Sequence, residues 1–286
     1  MDFNYQYHAL NGIQLHVGHL GAPKPEKILL FLHGFPEFSY AWKKQAVYFA
    51  EQGYQVVVPD QRGYYLSSKP AGIKAYTLAT LVEDIVALIR SLTDRQVILV
   101  GHDWGGGVAW ALAQQHPSLL KGLVILNMPH LQVMKKNLRH NPKQRKKSWY
   151  AAFFQVPFLP ELICAAFDYA LLERSLRKTA RARTFTAEDL AAYKNAWRQP
   201  RALRSMINWY RAFRLNKLPT HAPIDLPTLI LWGTRDTFLG TEMAQQSLEK
   251  CRQGKLVLIE DATHWLHHEK PDRVNELIEG FCIHLG

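Results

Sequence analysis

Cysteine is scarce in this chain, and the patterns that cysteine forms in secreted or metal-binding proteins are absent. The three cysteines, Cys164, Cys251 and Cys282, include no C-x-x-C pair and leave an odd number, which argues against a disulfide framework. Nowhere do eighteen apolar residues follow one another, and the N-terminus has no basic region followed by an apolar stretch. We therefore expect free thiols, no membrane span and a cytoplasmic protein.

The chain also lacks internal repeats, low-complexity segments and a phosphate-binding glycine loop. The three glycines at 105–107 resemble such a loop, but small residues behind a strand also let a helix approach a sheet closely. The histidines are scattered, without the spacing of a metal-ligand cluster. The sequence therefore predicts neither an organic cofactor nor a metal ion.

Acidic residues are few in one part of the chain. Residues 130–218 contain 19 Lys or Arg against 5 Asp or Glu, whereas the remainder contains 16 against 19. The net charge of +11 therefore originates in this segment. A solvated basic surface is the simpler interpretation, and an anion-binding face is the alternative. Because no nucleic-acid recognition motif accompanies the charge, we expect no nucleic-acid partner.

The chain does contain a regular alternation of short apolar runs and helical stretches. The apolar runs lie at residues 28–32, 55–58, 97–100, 123–126, 228–232 and 255–259. Helical stretches lie at residues 39–51, 77–91 and 105–115 and from about 271 onward, and basic, aromatic helical segments follow Pro129. This alternation predicts a doubly wound α/β sheet, mostly parallel, with helices on both faces. We expect a core of residues 1–129 and 219–286 and an inserted helical cap, or lid, of residues 130–218.

One hexapeptide, GHDWGG at residues 101–106, directly follows the strand predicted at 97–100. It has the pattern of a nucleophile elbow, a strand that turns sharply into a helix, but Asp103 stands where G-x-S-x-G enzymes carry serine. A carboxylate there attacks a saturated or strained carbon and forms an alkyl ester, so epoxides or alkyl halides are the expected substrates. The alternative is that Asp103 is only a helix N-cap.

A carboxylate nucleophile needs a base that activates water, and the base needs an acid that orients it. Asp236 follows the strand predicted at 228–232, and His264 follows the strand predicted at 255–259. The chain order of nucleophile, acid and histidine is that of the α/β-hydrolases. His267 and His268 are rivals for the base, but they fall near the start of the last helix, so we interpret them as surface or packing residues.

An ester is hydrolysed quickly only if its tetrahedral oxyanion is stabilised by hydrogen-bond donors. The expected donors are the backbone amides of Trp104, directly after the nucleophile, and of Phe35, in the loop after the strand at 28–32. Pro36 has no amide hydrogen, and its predicted role is to fix the turn, through a cis bond. The alternative is an ordinary turn after a strand.

With these features the chain resembles the soluble epoxide hydrolases of the α/β-hydrolase superfamily over nearly its whole length. The matching stretches are His33–Glu37, Asp60–Gly63, Gly101–Gly106 and the loops that carry Asp236 and His264. The elbow with aspartate and tryptophan is shared with haloalkane and haloacetate dehalogenases. The resemblance implies an epoxide hydrolase, active on a small hydrophobic epoxide, that needs no cofactor.

The resemblance also implies two cap tyrosines that hydrogen-bond the epoxide oxygen, and Tyr150 and Tyr210 are the matching positions. Packing in the lid is the alternative role for both rings. Two phenols supply an acid without placing charge in an apolar pocket. Haloalkane dehalogenases carry a side-chain donor for the halide at the position of Phe35, which has none. This difference argues against a haloalkane dehalogenase. The chain departs from the family pattern at Tyr65, where a glycine is expected after the turn at Gly63.

Two other functions stay open at this point. A dehalogenase would use the same Asp103 to release halide from a small haloalkane or haloacid. A non-catalytic ligand-binding protein on this scaffold would use the basic cap as a contact surface, but it has no need of the complete set of catalytic residues. The sequence does not distinguish a monomer from a homodimer.

Overall fold

The computed structural model describes residues 3–21, 27–216 and 222–286. Within these ranges eight strands form one sheet in the order β1-β2-β4-β3-β5-β6-β7-β8. The strands are β1 (Asn4–Leu10), β2 (Ile13–Leu20), β3 (Ile28–Leu32), β4 (Gln55–Pro59), β5 (Val97–His102), β6 (Leu120–Leu126), β7 (Thr228–Gly233) and β8 (Gly254–Ile259). The pairs β1·β2 and β2·β4 are antiparallel, and every other pair in this order is parallel.

The central parallel strands are apolar at every position because helices cover both faces of the sheet. In β3, Leu30 and Leu32 join the hydrophobic core on one face, whereas Leu29 and Phe31 join the core on the other. This alternation is the two-residue period of a strand, with both sets of side chains buried. The predicted α/β class, with helices on both faces of a mostly parallel sheet, is confirmed.

The helices of the core lie between and after these strands. They are α1 (Lys43–Glu51), α2 (Leu78–Leu92), α3 (Trp104–Gln115), α10 (Glu242–Leu248), α11 (Leu266–Glu269) and α12 (Pro271–His284). Short 3-10 turns lie at Ser39–Trp42, Ile73–Tyr76 and Pro117–Leu119. Phe49 of α1 and Val274 of α12 pack on one face of the sheet, and Val82 of α2 and Val108 of α3 pack on the other.

Between β6 and β7 the described chain is helical. These inserted helices are α4 (Leu131–His140), α5 (Pro142–Lys147), α6 (Trp149–Phe153), α7 (Leu159–Thr179), α8 (Ala187–Trp197) and α9 (Ala202–Phe213). They agree with the helical character predicted after Pro129, but the boundary predicted at residue 218 lies outside the described residues. None of the described helices is long and apolar enough to cross a membrane.

The N-terminal hairpin β1–β2 was not among the strands predicted from the sequence. Its turn is an Asn11-Gly12 pair with positive φ at both residues, 49° and 71°, which is the geometry of a two-residue hairpin. Most of β1 is exposed, so its sequence lacks the apolar run that identifies the buried strands. Charged and polar residues at such an edge also protect the sheet from further pairing.

The parallel strands place their carboxyl ends at one edge of the sheet. The loops after β3, β5, β7 and β8 therefore meet there, and they carry Phe35, Asp103, Asp236 and His264. Open α/β sheets bind ligands at this edge.

Candidate active site

Asp103 lies at a sharp turn between β5 and α3, with φ 48° and ψ −124°. Its side chain makes no capping hydrogen bond to α3, so Asp103 does not act as a side-chain N-cap of this helix. The neighbouring glycines are required by close backbone approach. A Cβ on Gly105 would lie 2.2 Å from the carbonyl oxygen of Leu32, and one on Gly101 would lie 2.6 Å from the carbonyl oxygen of Gly105. The strained turn presents the carboxylate above the strand ends, as in a nucleophile elbow.

Two groups hold the Asp103 carboxylate from opposite sides. The amide of Phe35 donates to Oδ1 at 2.9 Å, and Nε2 of His264 lies 3.6 Å from Oδ2. Burial alone would raise the pKa of Asp103, but the adjacent imidazolium of His264 outweighs it and leaves this pKa below its ordinary value. The carboxylate is therefore ionised at neutral pH, as a nucleophile must be.

His264 connects Asp103 to a second buried carboxylate. Its Nδ1 lies 2.8 Å from Oδ2 of Asp236, whose Oδ1 accepts the amides of Phe238 at 2.7 Å and Leu239 at 2.9 Å. Burial alone would lower the pKa of His264, but the charge of Asp236 and the nearby Asp103 carboxylate raise it to about 10. The free site therefore holds an imidazolium between two carboxylates.

Asn127 supports the acid, a role the sequence did not suggest. Asn127 follows β6 and donates its side-chain amide to Oδ2 of Asp236, while its own Oδ1 accepts the amide of Gly233 at 2.9 Å. It therefore ties the ends of two neighbouring parallel strands together and fixes the orientation of Asp236. A polar residue directly after a buried strand was the available signal.

The loop after β3 brings the Phe35 amide to the nucleophile. The Phe35–Pro36 peptide bond is cis, as predicted for this turn, and the carbonyl of Pro36 accepts the indole N–H of Trp197 at 2.6 Å. A Cβ on Gly34 would lie 2.4 Å from the Cβ of Asp103, so only glycine fits there. Trp104, the other predicted donor, is the first residue of α3, where backbone amides have no acceptor within the helix.

Two tyrosines of the inserted helices lie over the nucleophile. Tyr150 belongs to α6 and Tyr210 to α9, and their ring centroids are 5.9 Å apart. Tyr210 packs edge-on against Phe35 at 5.2 Å and Trp104 at 5.1 Å. Burial, and then the charge of Asp103, raise the pKa of both phenols above the ordinary value. Both rings therefore keep their hydroxyl protons at neutral pH.

Two cavities meet at these groups. The larger has a volume of about 890 Å³ and the smaller about 250 Å³, and Asp103, Tyr150 and Tyr210 line both. The larger cavity is also lined by His264, Trp265, Phe153 and Leu172, and the smaller by Trp104, Met128 and Phe213, among others. The cavities are mostly apolar, and Asp103, Tyr150 and Tyr210 lie at their junction, which is typical of a small-molecule site. The larger cavity is also lined by four cations, Lys146, Lys147, Arg174 and Lys178.

A buried cluster around Glu37 lies behind the nucleophile. Its Oε1 accepts the hydroxyl of Tyr193 at 2.8 Å and lies 2.6 Å from Nε2 of His268, and Oε2 lies 3.3 Å from Nδ1 of His102 and 3.4 Å from Nε2 of His267. Burial alone would raise the pKa of Glu37, but the neighbouring histidines hold it well below the ordinary value. The cluster therefore holds a carboxylate in the protein interior.

This cluster qualifies two predictions. Ligand atoms of Glu37, His267 and His268 lie within 4.8 Å of one another, a grouping that the scattered histidines of the sequence did not suggest. His267 and His268 were predicted to be surface or packing residues. Both are buried, so the surface alternative is wrong and the packing alternative is right. The carbonyl of His264 lies 2.9 Å from Nε2 of His102, which links the cluster to the catalytic histidine. No sequence signal connects residues so far apart in the chain.

The loop at Tyr65, where the family pattern has glycine, keeps a glycine-like conformation. Tyr65 has a φ of 36°, and its ring packs against Phe38 with centroids 4.7 Å apart. Tyr64 is buried against His33 and Trp209. Tyr65 therefore adopts the left-handed backbone conformation that favours glycine, while its ring packs against the neighbouring core.

Comparison with known proteins shows which family this chain resembles. A family model described as the alpha/beta hydrolase fold matches residues 27–271. The chain is 44% identical to AB hydrolase superfamily protein YfhM of Bacillus subtilis (strain 168), over 96% of each chain, and 38% identical to Epoxide hydrolase 1 of Caenorhabditis elegans, over 96% of this chain and 69% of the relative.

Solved structures give the same result. A mutant of an epoxide hydrolase from Bacillus megaterium, complexed with its product (R)-3-[1]naphthyloxy-propane-1,2-diol, superimposes with a TM-score of 0.88 at 32% identity, over 97% of this chain and 99% of the other. An epoxide hydrolase from metagenomes of hot environments has a TM-score of 0.88 at 33% identity, over 99% of each chain. The chain therefore belongs to the α/β-hydrolase superfamily and, within it, to the family of the epoxide hydrolases.

Proposed function

We propose that this protein hydrolyses an epoxide to a vicinal diol through an alkyl ester on Asp103. The observation that carries this proposal is the junction of the two cavities, where an ionised carboxylate, an imidazolium and two protonated phenols face one apolar space. The similarity to named epoxide hydrolases supports the same reaction.

In the first step Oδ2 of Asp103 attacks a ring carbon, the C–O bond of the ester forms, and the ring C–O bond breaks. The leaving oxygen stays attached to the substrate as an alkoxide and takes a proton from Tyr150 or Tyr210. These phenols suit the task because their pKa, raised by the nearby charge of Asp103, falls when esterification removes that charge. The acid therefore becomes stronger as the alkoxide forms.

The same loss of charge prepares the second step. The charge of Asp103 is one of the causes that raise the pKa of His264, so esterification lowers this pKa. The imidazolium can then release its proton, which returns through solvent to the tyrosinate left by the first step. Neutral His264, oriented by Asp236, then takes a proton from water that attacks the ester carbonyl. The amides of Phe35 and Trp104 stabilise the oxyanion. Its collapse breaks the ester bond to the substrate oxygen, and the departing alkoxide takes the proton of the new Asp103 carboxyl group, which gives the diol and restores the carboxylate while His264 is again an imidazolium.

The inserted helices have a defined part in this scheme. We assign residues 130–218 as a cap over a core of residues 1–129 and 219–286, because α6 and α9 supply the two tyrosines that close the site. The two cavities extend from Asp103 in different directions, so the proposed substrate is a hydrophobic epoxide with room for a large substituent on one side and a smaller one on the other.

The test is turnover of styrene oxide beside a chloroalkane, with wild-type protein and the variant Tyr150→Phe/Tyr210→Phe. Loss of a general acid costs about 10²–10⁴-fold in rate, so diol formation should fall by this factor. The control Tyr7→Phe/Tyr48→Phe removes two phenols that line neither cavity and should retain full activity.

The dehalogenase alternative predicts a different result. Phe35 has no side-chain donor for a halide, so that reaction would rest on the indole of Trp104. Halide release that does not change in the double tyrosine variant, without diol formation, would establish a dehalogenase and overturn the proposal.

A further inference from the structure

One segment of the inserted helices exposes apolar side chains to solvent. Large apolar residues with relative exposures of 40–92% are concentrated between residues 149 and 171. They are Trp149, Val156, Phe158, Leu159, Leu162, Ile163, Phe167 and Leu171, and we call them the apolar face. Exposed apolar residues are ordinary when scattered, but a concentration of them in one segment points to a binding surface.

Local geometry places three of these side chains together. Leu159, Leu162 and Ile163 have the i, i+3, i+4 spacing that puts side chains on one side of a helix. The helix is interrupted at Phe167, Asp168 and Tyr169, which take left-handed φ values of 51°, 54° and 60°.

The interruption exposes an aromatic ring at a conformational cost. Phe167 is 92% exposed, the most exposed of the large apolar residues in the described chain. Each left-handed residue other than glycine is strained, and strain of this kind persists where the surrounding structure enforces it, often at functional surfaces. Solvation alone gives no reason to hold a phenylalanine in this position.

Cations flank the apolar face along the chain, and three of them, Lys146, Arg174 and Lys178, line the larger catalytic cavity together with Trp149 and Leu171 of the face. Lys143, Arg145 and Lys146 precede it and are exposed, and Arg174 and Lys178 follow it. Within the described residues none of these five has an ion-pair partner.

The acids of the apolar segment are already neutralised. Asp168 pairs with Arg198 at 2.5 Å, and Glu161 pairs with Arg211 at 2.5 Å. The guanidinium of Arg204 also lies 5.3 Å from the centre of the Phe158 ring. The electrostatic potential around the apolar face is therefore positive.

We propose that the apolar face binds the surface of a bilayer containing anionic lipids. Apolar and aromatic side chains enter the boundary between headgroups and acyl chains, while surrounding Lys and Arg side chains bind anionic headgroups. Trp149 has the amphipathic ring that is enriched at this boundary. The proposal does not depend on the reaction proposed above.

A second copy of this chain fits the face less well. A twofold interface would bring each patch against itself, so the cations around one apolar face would approach those around the other. Like charges in such an interface repel, whereas an anionic bilayer neutralises them. Charge complementarity therefore favours the bilayer over self-association.

The test is flotation with vesicles of phosphatidylglycerol and phosphatidylcholine, and with vesicles of phosphatidylcholine alone. Wild-type protein should float with the anionic vesicles at low salt, and 0.5 M salt should weaken this binding because salt screens the surface charge. Leu162→Ser/Phe167→Asn should lose about tenfold or more in partitioning, and asparagine tolerates the left-handed turn. The control Leu258→Ser/Ile283→Ser removes two exposed apolar groups, 47% and 65% exposed, outside the apolar face and should bind as wild type does.

Charge reversals test the electrostatic part separately. Lys143→Glu/Arg145→Glu should also weaken binding about tenfold or more, and Arg95→Glu/Lys255→Glu, with the same change in net charge, should not. Hydrolysis of styrene oxide should be the same in all four variants, because none of the substituted residues lines the two catalytic cavities.

Three results would overturn the proposal. The first is that wild-type protein does not bind anionic vesicles. The second is that a variant and its control lose vesicle binding to the same extent. The third is that sedimentation shows a wild-type dimer and a monomeric Leu162→Ser/Phe167→Asn variant, neither of which binds vesicles. The last result would assign the face to a second copy of the chain.

Discussion

Replacing Asp236 by asparagine separates the two halves of the proposed reaction. Oδ1 of Asp236 accepts the amides of Phe238 and Leu239, and Oδ2 faces Nδ1 of His264 at 2.8 Å. In Asp236→Asn the amide oxygen should keep the two backbone hydrogen bonds, because only an acceptor fits there. The new NH₂ group then replaces the oxygen that faces Nδ1 and that accepts the side-chain amide of Asn127. The Asn127 hydrogen bond is lost, and the imidazole carries its proton on Nε2, the atom directed at Asp103.

The size of the effect follows from this tautomer. An imidazole with its proton on Nε2 cannot take a proton from the attacking water, and loss of general-base catalysis costs about 10²–10⁴-fold. Loss of the Asp236 charge also lowers the pKa of His264 from about 10. Ester formation needs only the Asp103 carboxylate and the tyrosines, so its rate should stay close to that of wild type.

The assay is a rapid-quench experiment with equimolar styrene oxide, followed by intact mass spectrometry. In Asp236→Asn a protein adduct with the mass of the substrate should form at nearly the wild-type rate and decay about 10²–10⁴-fold more slowly. Asp225→Asn is the matched control, since Asp225 is an exposed carboxylate paired with Arg252 far from the site. The role given to Asp236 would be refuted if the variant slowed formation and decay of the adduct by the same factor, or if no adduct formed.

Four further outcomes are expected. His264→Gln should accumulate the Asp103 ester, visible by intact mass, and its absence would remove His264 from the role of base. Gly34→Ala should lower turnover by about 10²-fold or more, because the new methyl group would displace Asp103; near-normal turnover would contradict the close contact of 2.4 Å. In wild type the ester should accumulate as the pH falls, because ester hydrolysis needs neutral His264 while the lowered pKa of Asp103 keeps the nucleophile ionised. Stopped-flow measurements across pH test this order. Ester formation that slows at a higher pH than ester hydrolysis does would contradict it. Asp84→Ala should lower the free energy of unfolding by about 3–5 kcal/mol in urea, because it leaves the buried Arg62 without its partners at 2.6 and 2.7 Å; a loss under about 1 kcal/mol would contradict this pairing.

The buried parallel strands could be predicted because each is a short, continuous apolar run that ends at turn residues. The elbow could be predicted because close packing leaves room only for glycine at Gly101 and Gly105. The exposed hairpin β1–β2 was missed because its outer strand is polar, although the Asn11-Gly12 pair marks its turn. Local sequence patterns therefore identified the buried strands and the elbow, whose conformations depend on neighbouring residues in the sequence.

The residues that were missed act through contacts distant in sequence. Glu37 meets Tyr193 and His268 only after the chain has folded, so no spacing reveals the cluster. The left-handed interruption at Phe167 also has no sequence signal, since no glycine marks it. Both features depend on tertiary packing, which fixes conformations that local preferences do not favour.

The central claim is that Asp103 becomes covalently attached to the substrate. Single-turnover hydrolysis in ¹⁸O-labelled water, with protein in excess over styrene oxide, tests it most directly. Water attacks the ester carbonyl in this account, so the label should appear in the peptide that contains Asp103, and the diol should contain none. Label found wholly in the diol, with unlabelled Asp103, would show that water attacks the epoxide directly and would contradict the account.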